Sequence, residues 1–102
     1  MTREHDNDAQ PSREAFLQRF LALPAGYGRG EYEGQRYRVM IERSADGRRH
    51  WLYAEELGGT DRISLNLFLL ADSRSLLKPC EMPEAKVVAF VMGYRPDAKP
   101  ES

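Results

Sequence analysis

An α+β fold is what this sequence predicts: an antiparallel β-meander of four to five strands with an N-terminal helix and a C-terminal helix packed on the sheet. Three observations lead there. Arg36 to Leu57 reads as two long strands folded back on each other at Asp46-Gly47, a dipeptide suited to the positive φ angles of a tight hairpin turn. Apolar residues recur at helical spacing only near the two ends of the chain. Between those ends, period-two runs are separated by glycine-containing turns at Glu33-Gly34 and Gly58-Gly59.

The chain has 102 residues, which suits one domain spanning residues 12–95. Residues 1–11 are polar and of mixed charge and read as a disordered lead, and 96–102 as a flexible tail. Ser12 is placed to cap the first helix, whose stripe is Phe16, Leu17, Phe20 and Leu21, with Pro24 stopping it. The segment Ala25-Gly26-Tyr27-Gly28-Arg29-Gly30 then reads as a flexible turn from helix into sheet. It does not suit a phosphate cradle, which needs a strand before it and a helix after it. A short strand follows from about Arg29 to Tyr32, with Tyr32 and Tyr37 as packing anchors beside the Glu33-Gly34 turn.

In the central hairpin, a two-residue loop sets Ala45 opposite Arg48. It follows that Ile41 faces Leu52, Met40 faces Tyr53, Val39 faces Ala54 and Arg38 faces Glu55. A further strand runs from Arg62 to Leu70, with Ile63, Leu65, Leu67 and Leu69 alternating with Arg62, Ser64, Asn66 and Phe68. Ala71 to Arg74 turns the chain again, and Ser75 to Lys78 is a short strand halted by Pro79. Pro83 opens the last helix, whose stripe is Val87, Phe90, Val91 and Tyr94.

Composition narrows function. No apolar run approaches the roughly 20 residues of a membrane helix, the longest being Val87 to Met92, so no membrane partner is expected. The N-terminus carries charges where an export signal needs apolar residues. A single cysteine, Cys80, precludes an internal disulfide and fits a reducing, cytoplasmic setting. Twelve of the fifteen basic residues are arginine, suited to planar contact with carboxylate or phosphate. Between Arg29 and Arg62, however, seven arginines meet seven acids. Nucleic acid is therefore not favoured by charge as a partner.

The two faces of the hairpin differ. Val39, Ile41, Leu52 and Ala54 form one face and read as core. Arg36, Arg38, Met40, Glu42, Trp51, Tyr53 and Glu55 form the other, which mixes aromatics with charge. Left open, it is a platform on which a base, a sugar or a partner's side chain stacks. Covered, it is the floor beneath the first helix, and a small sheet with two amphipathic helices is expected to bury both faces at least partly. Ser64 and Asn66 share one face of the next strand and adjoin the aromatic face in a regular meander.

Catalytic groups are sparse. Cys80 precedes the last helix, where a helix N-terminus can stabilise a thiolate, but no second cysteine is present and Glu81 and Glu84 are acidic neighbours. It reads as a small apolar side chain, with nucleophilic or redox use the weaker alternative. His50 lies across from Arg43, and with His5 in the lead the two histidines and one cysteine form no metal-ligand spacing. Glu55 and Glu56 point to opposite faces of a strand, so Glu55, Glu56 and Asp61 read as turn acids. No cofactor or metal is implied.

The order of meander then helix from Arg29 to Tyr94 resembles, in topology alone, the single-stranded nucleic-acid-binding sheets of the PUR kind. It assigns no residues. The expected function is a small non-enzymatic binding module using Arg36, Arg38, Met40, Trp51, Tyr53 and Asn66, with a protein partner or its own copy docking on the sheet face or a sheet edge. A single-stranded nucleic-acid-binding sheet and a Cys80-dependent enzyme are the alternatives.

Overall fold

The computed structural model describes residues 12–70 and 74–97. The expected lead at 1–11, part of the turn at 71–73 and the tail from 98 onward lie outside the described residues. Helix α1 (Arg13–Ala22) leads into strands β1 (Gly26–Tyr32), β2 (Gln35–Arg43), β3 (Arg49–Glu56), β4 (Arg62–Leu69) and β5 (Ser75–Pro79). Helix α2 (Glu84–Gly93) and the two-residue strand β6 (Arg95–Pro96) complete the chain. All pairings are antiparallel, in the spatial order β5-β4-β3-β2-β1-β6. The α+β meander stands as the sequence predicts it, extended by β6. Because β5 and β6 lie at opposite margins, α2 carries the chain back across the sheet.

Local chemistry accounts for each boundary. Ser12 Oγ accepts a hydrogen bond from the Ala15 amide (3.0 Å), satisfying one of the free donors at the start of α1. Both Glu33 (φ 53°) and Gly34 (φ 78°) are left-handed, so the β1–β2 connection is the primed two-residue turn that matches strand twist. The β2–β3 connection is a different turn from the one expected. Ser44 pairs with Arg49, the Gly47 amide donates to the Ser44 carbonyl (2.9 Å), and Gly47 (φ 75°) alone is left-handed. Asp46 instead spends its carboxylate on the loop, accepting from Ser44 Oγ (2.7 Å) and the Arg48 amide (3.0 Å). The four-residue loop preserves the register, and Ile41–Leu52, Met40–Tyr53, Val39–Ala54 and Arg38–Glu55 pair as expected.

Strand β1 is longer than its glycine content suggested. Gly26, Gly28 and Gly30 fall opposite Ile41, Val39 and Tyr37, so all three face the helices. Gly30 is required there, because a Cβ at this position would overlap the Arg95 carbonyl oxygen and the Tyr94 ring. Tertiary packing thus draws into the sheet a segment that local propensity assigns to a turn.

Both helices lie on one face of the sheet. Phe16, Phe20 and Leu23 of the α1 region join Val87, Phe90, Val91 and Tyr94 of the α2 region over Val39, Ile41, Leu52, Ile63, Leu65 and Leu67. Burial of each large side chain there is worth about 1.5–3 kcal/mol. Two arginines clasp the layers by capping helix C-termini, where carbonyls lack intrahelical donors. The Arg19 guanidinium donates to the Val91 and Tyr94 carbonyls of α2, and Arg43 Nη2 donates to the Phe20 and Leu23 carbonyls of α1. Among the described residues, no helix is long and apolar enough to cross a membrane.

Candidate functional site

The opposite face of the sheet has no described element over it, which overturns the expectation that α1 covers Trp51, Tyr53 and Met40. The reason is competition for apolar surface. Phe16 and Phe20 require the same uninterrupted floor as Val87, Phe90 and Val91, and only the Val39/Ile41/Leu52 face provides it. A helix over the other face would have to desolvate Arg38, Glu42 and Glu55.

Strand register brings the expected residues together. Directly paired residues share a face, and the uncovered face forms rows running across the strands. One row is Arg29, Arg38, Glu55 and Arg62. Beside it lies Tyr27, Met40, Tyr53 and Ser64, and beyond that Glu42, Trp51, Asn66 and Lys78. A last row holds Arg49, Phe68 and Leu76. Successive rows are about 7 Å apart and neighbours within a row about 5 Å apart.

Met40, Trp51, Tyr53 and Asn66 are therefore contiguous, with Arg38 on their border. The Trp51 and Tyr53 rings stack on each other, with centroids 6.1 Å apart and planes within 9°. Asn66 adjoins Trp51, and its amide oxygen is buried without a hydrogen-bond partner. Arg36 stands apart from this group. It is drawn to the margin by a bidentate pair with Asp97 (2.9 and 2.6 Å), which lowers the Asp97 pKa below the ordinary carboxylate value.

Sequence reasoning missed several members of this face. Tyr27, 54% exposed, and Arg29 extend it onto β1, where the glycines concealed the strand. Phe68 and Leu76 (44% exposed) prolong the apolar band toward β5, with the Arg49 guanidinium over the Phe68 ring at 5.8 Å. The alternation that placed Asn66 on this face carries Phe68 with it, so that signal was present. The Arg38 and then the Arg29 guanidinium beside the Tyr27 phenol hold its pKa below the ordinary value.

Charge is sorted between the faces. Of the seven acids between Arg29 and Arg62, Glu31, Glu42 and Glu55 share this face; Glu33 and Asp46 sit in turns, and Glu56 and Asp61 are on the helix side or its rim. Five of the seven arginines, together with Lys78, share it as well. A region neutral in sequence thus carries a cationic surface.

The other candidates do not assemble into a reactive site. His50, 3% exposed, accepts at Nδ1 from Arg43 Nη1 (3.1 Å), and its Nε2–H donates to the Gly47 carbonyl (2.9 Å). Both ring nitrogens are engaged in holding the hairpin to α1. Cys80 is half-buried, its amide donating to the Ser64 carbonyl (3.0 Å) in the loop after β5. Pro83 is the residue capping α2, so the thiol is not at the helix N-terminus. Glu56 and Asp61 close the β3–β4 turn, where Asp61 accepts from Tyr37 Oη (2.8 Å) and Lys86 Nζ (2.7 Å). No group of acids, histidines and cysteine suited to a metal occurs among the described residues. On the helix side, a hollow of about 460 Å³ lies beside Pro24, Gly26, Gly28, Val39, Ile41 and Tyr94, where β1 presents glycines in place of side chains.

Compared with family models, curated proteins and solved structures, the chain matches none, and its functional reading rests on this geometry.

Proposed function

We propose that this protein is a non-enzymatic binding module whose working surface is the uncovered face of the sheet. The observation that carries this reading is the placement of both helices on the opposite face, which leaves a band of Tyr27, Met40, Tyr53, Trp51 and Phe68 bordered by arginines. A contiguous aromatic band of this kind, with a charged rim, has the composition of a recognition surface rather than of ordinary solvent-facing strand positions. The engaged ring nitrogens of His50 and the position of Cys80 support binding over catalysis.

Trp51 is the single tryptophan and reports on the face directly. In the full chain, a small neutral quencher is expected to reach it readily, and Phe20→Ala is expected to leave its emission unchanged while weakening the core. Trp51→Thr should alter stability by no more than about 1 kcal/mol, against about 3–5 kcal/mol for Phe20→Ala. A protected Trp51 that becomes exposed in Phe20→Ala, or a Trp51→Thr loss as large as that of Phe20→Ala, would make this face core and refute the proposal.

A further inference from the structure

The identity of the ligand is the next question, and it rests on the reading of the uncovered face as the working surface. We propose that the face binds single-stranded nucleic acid, with the phosphate backbone crossing the strands along the row of Arg29, Arg38, Glu55 and Arg62, held by Arg29 and Arg62 at its two ends, and the bases lying over Tyr27, Tyr53 and Trp51.

Charge complementarity selects this ligand class. The chain as a whole has a net charge of −1, yet this face gathers Arg29, Arg36, Arg38, Arg49, Arg62 and Lys78 against Glu31, Glu42 and Glu55. Arg36 is committed to Asp97, and Arg38 lies 3.7 Å from Glu55. Among the described residues, Arg29, Arg49, Arg62 and Lys78 have no carboxylate within 4.0 Å. These cations are available to an outside anion, and releasing counterions from a polyanion favours binding.

Geometry then distinguishes a polyanion carrying flat groups from a simple anion. The arginine row spans roughly 14 Å from β1 to β4, and the aromatic rows begin about 7 Å to one side of it. A single strand separates charge from planar base in the same way, with phosphates on one line and bases beside them. The near-parallel Trp51 and Tyr53 rings offer a stack for bases to extend, which is how sheet surfaces hold single strands without reading sequence. Asn66, in register with Trp51 and Lys78, lies in the floor beneath the bases. Arg38 and Arg29 flank the exposed Tyr27 phenol, so the arginine row and the aromatic row meet at this ring. A double helix is a poor fit, since its bases present no free faces to the aromatic rows. A second copy is disfavoured because face-to-face contact would bring two cationic surfaces together.

The test is fluorescence anisotropy of labelled single-stranded DNA and RNA oligonucleotides of mixed sequence, about 12 nucleotides long, titrated with the full chain at low and moderate salt. Saturable binding to either is expected, stronger than to the corresponding duplex, with log affinity falling against log salt at a slope of about −1.4 for the two phosphate contacts at Arg29 and Arg62. Arg62→Gln should reduce that slope by roughly 0.7. Trp51→Ala should weaken binding about ten-fold or more and leave the slope unchanged. Circular dichroism of each variant verifies folding. Absence of binding while Trp51 remains open to quencher would overturn the nucleic-acid assignment and leave the open-face reading intact. A quencher-protected Trp51 in the free chain would overturn that underlying reading too. Binding unaffected by both substitutions would place the ligand elsewhere, and a dimer lost on Trp51→Ala would give the face to a second copy; either result overturns the inference.

Discussion

Arg43 shows how much of this fold depends on one side chain in an unexpected position. Alternation in β2 points it toward the helices, where its guanidinium lies over the Phe20 ring at 5.4 Å and donates to the Phe20 and Leu23 carbonyls and to His50 Nδ1. Burial lowers its pKa from the ordinary arginine value, although the group stays charged at any physiological pH. Arg43→Ala leaves the Leu23 carbonyl and His50 Nδ1 without these donors and is expected to cost about 1–3 kcal/mol in chemical denaturation. Arg43→Lys should recover only part of that loss, because a single ammonium cannot replace the planar fork. Full recovery by lysine would show that charge alone, and not the forked geometry, holds α1 to the hairpin. The Arg43–His50 pairing itself was legible from the hairpin register. That both residues face the core was legible from alternation too, but two polar residues at the end of an apolar stripe do not announce a helix cap.

At the scale of elements, β1 separates two uses of glycine on one face of one strand. Gly30 gives the Tyr94 ring and the β6 backbone room to approach, whereas a Cβ at Gly28 would meet nothing within 4 Å and would enter the hollow beside Val39. Gly28 has no positive φ to preserve. Gly28→Val is expected to stabilise the fold by up to about 1 kcal/mol through strand propensity and a less flexible unfolded chain. Gly30→Ala should destabilise it by about 1–3 kcal/mol through overpacking. Thermal unfolding of the two variants beside the wild type checks the contrast, and equal effects at both positions would contradict this packing. The glycines made β1 look shorter in sequence than it is. The β2–β3 loop carries a related lesson: Asp-Gly specified a reversal, but Asp46 uses its carboxylate to hold Ser44 and Arg48, and the register survives because a four-residue loop centred on the same point pairs the same strands.

For the whole molecule, the titrating groups that join separate elements set the pH range of stability. Asp61 links the β3–β4 turn to β2 and α2 through Tyr37 and Lys86, and Lys86 foremost lowers its pKa. A lowered folded-state pKa contributes stability above the unfolded value of about 3.9, lost as pH falls through the folded value. Asp61→Asn should therefore be less stable than wild type at neutral pH, with the difference closing below about pH 4. At the alkaline end, burial pushes Tyr94 up to about 12 and also raises Tyr37, whose hydroxyl is bound to Asp61. Their contribution is complete below the unfolded tyrosine value of about 10 and is lost as pH rises through the folded values. Absorbance titration is expected to show Tyr27 ionising before Tyr37 and Tyr94, whose ionisation comes together with loss of structure by circular dichroism. Early ionisation of Tyr37 and Tyr94 with the fold intact would contradict the buried aromatic cluster around Phe90.

Periodicity and turn position are local properties of the chain, so the α+β order, the hairpin register, the α2 stripe and the membership of Arg38, Met40, Trp51, Tyr53 and Asn66 on one strand face were legible in the sequence. Of the expected α1 stripe, by contrast, Phe16 and Phe20 are buried and Leu21 is 43% exposed. Which face the helices cover was decided only by tertiary structure. Each stripe is satisfied by any sufficiently apolar floor, and the choice depends on both helices competing for one floor at once. The same holds for charge. A segment balanced between seven arginines and seven acids becomes cationic on one face because turns and the helix-side rim take up four of the acids, a partition no linear count contains.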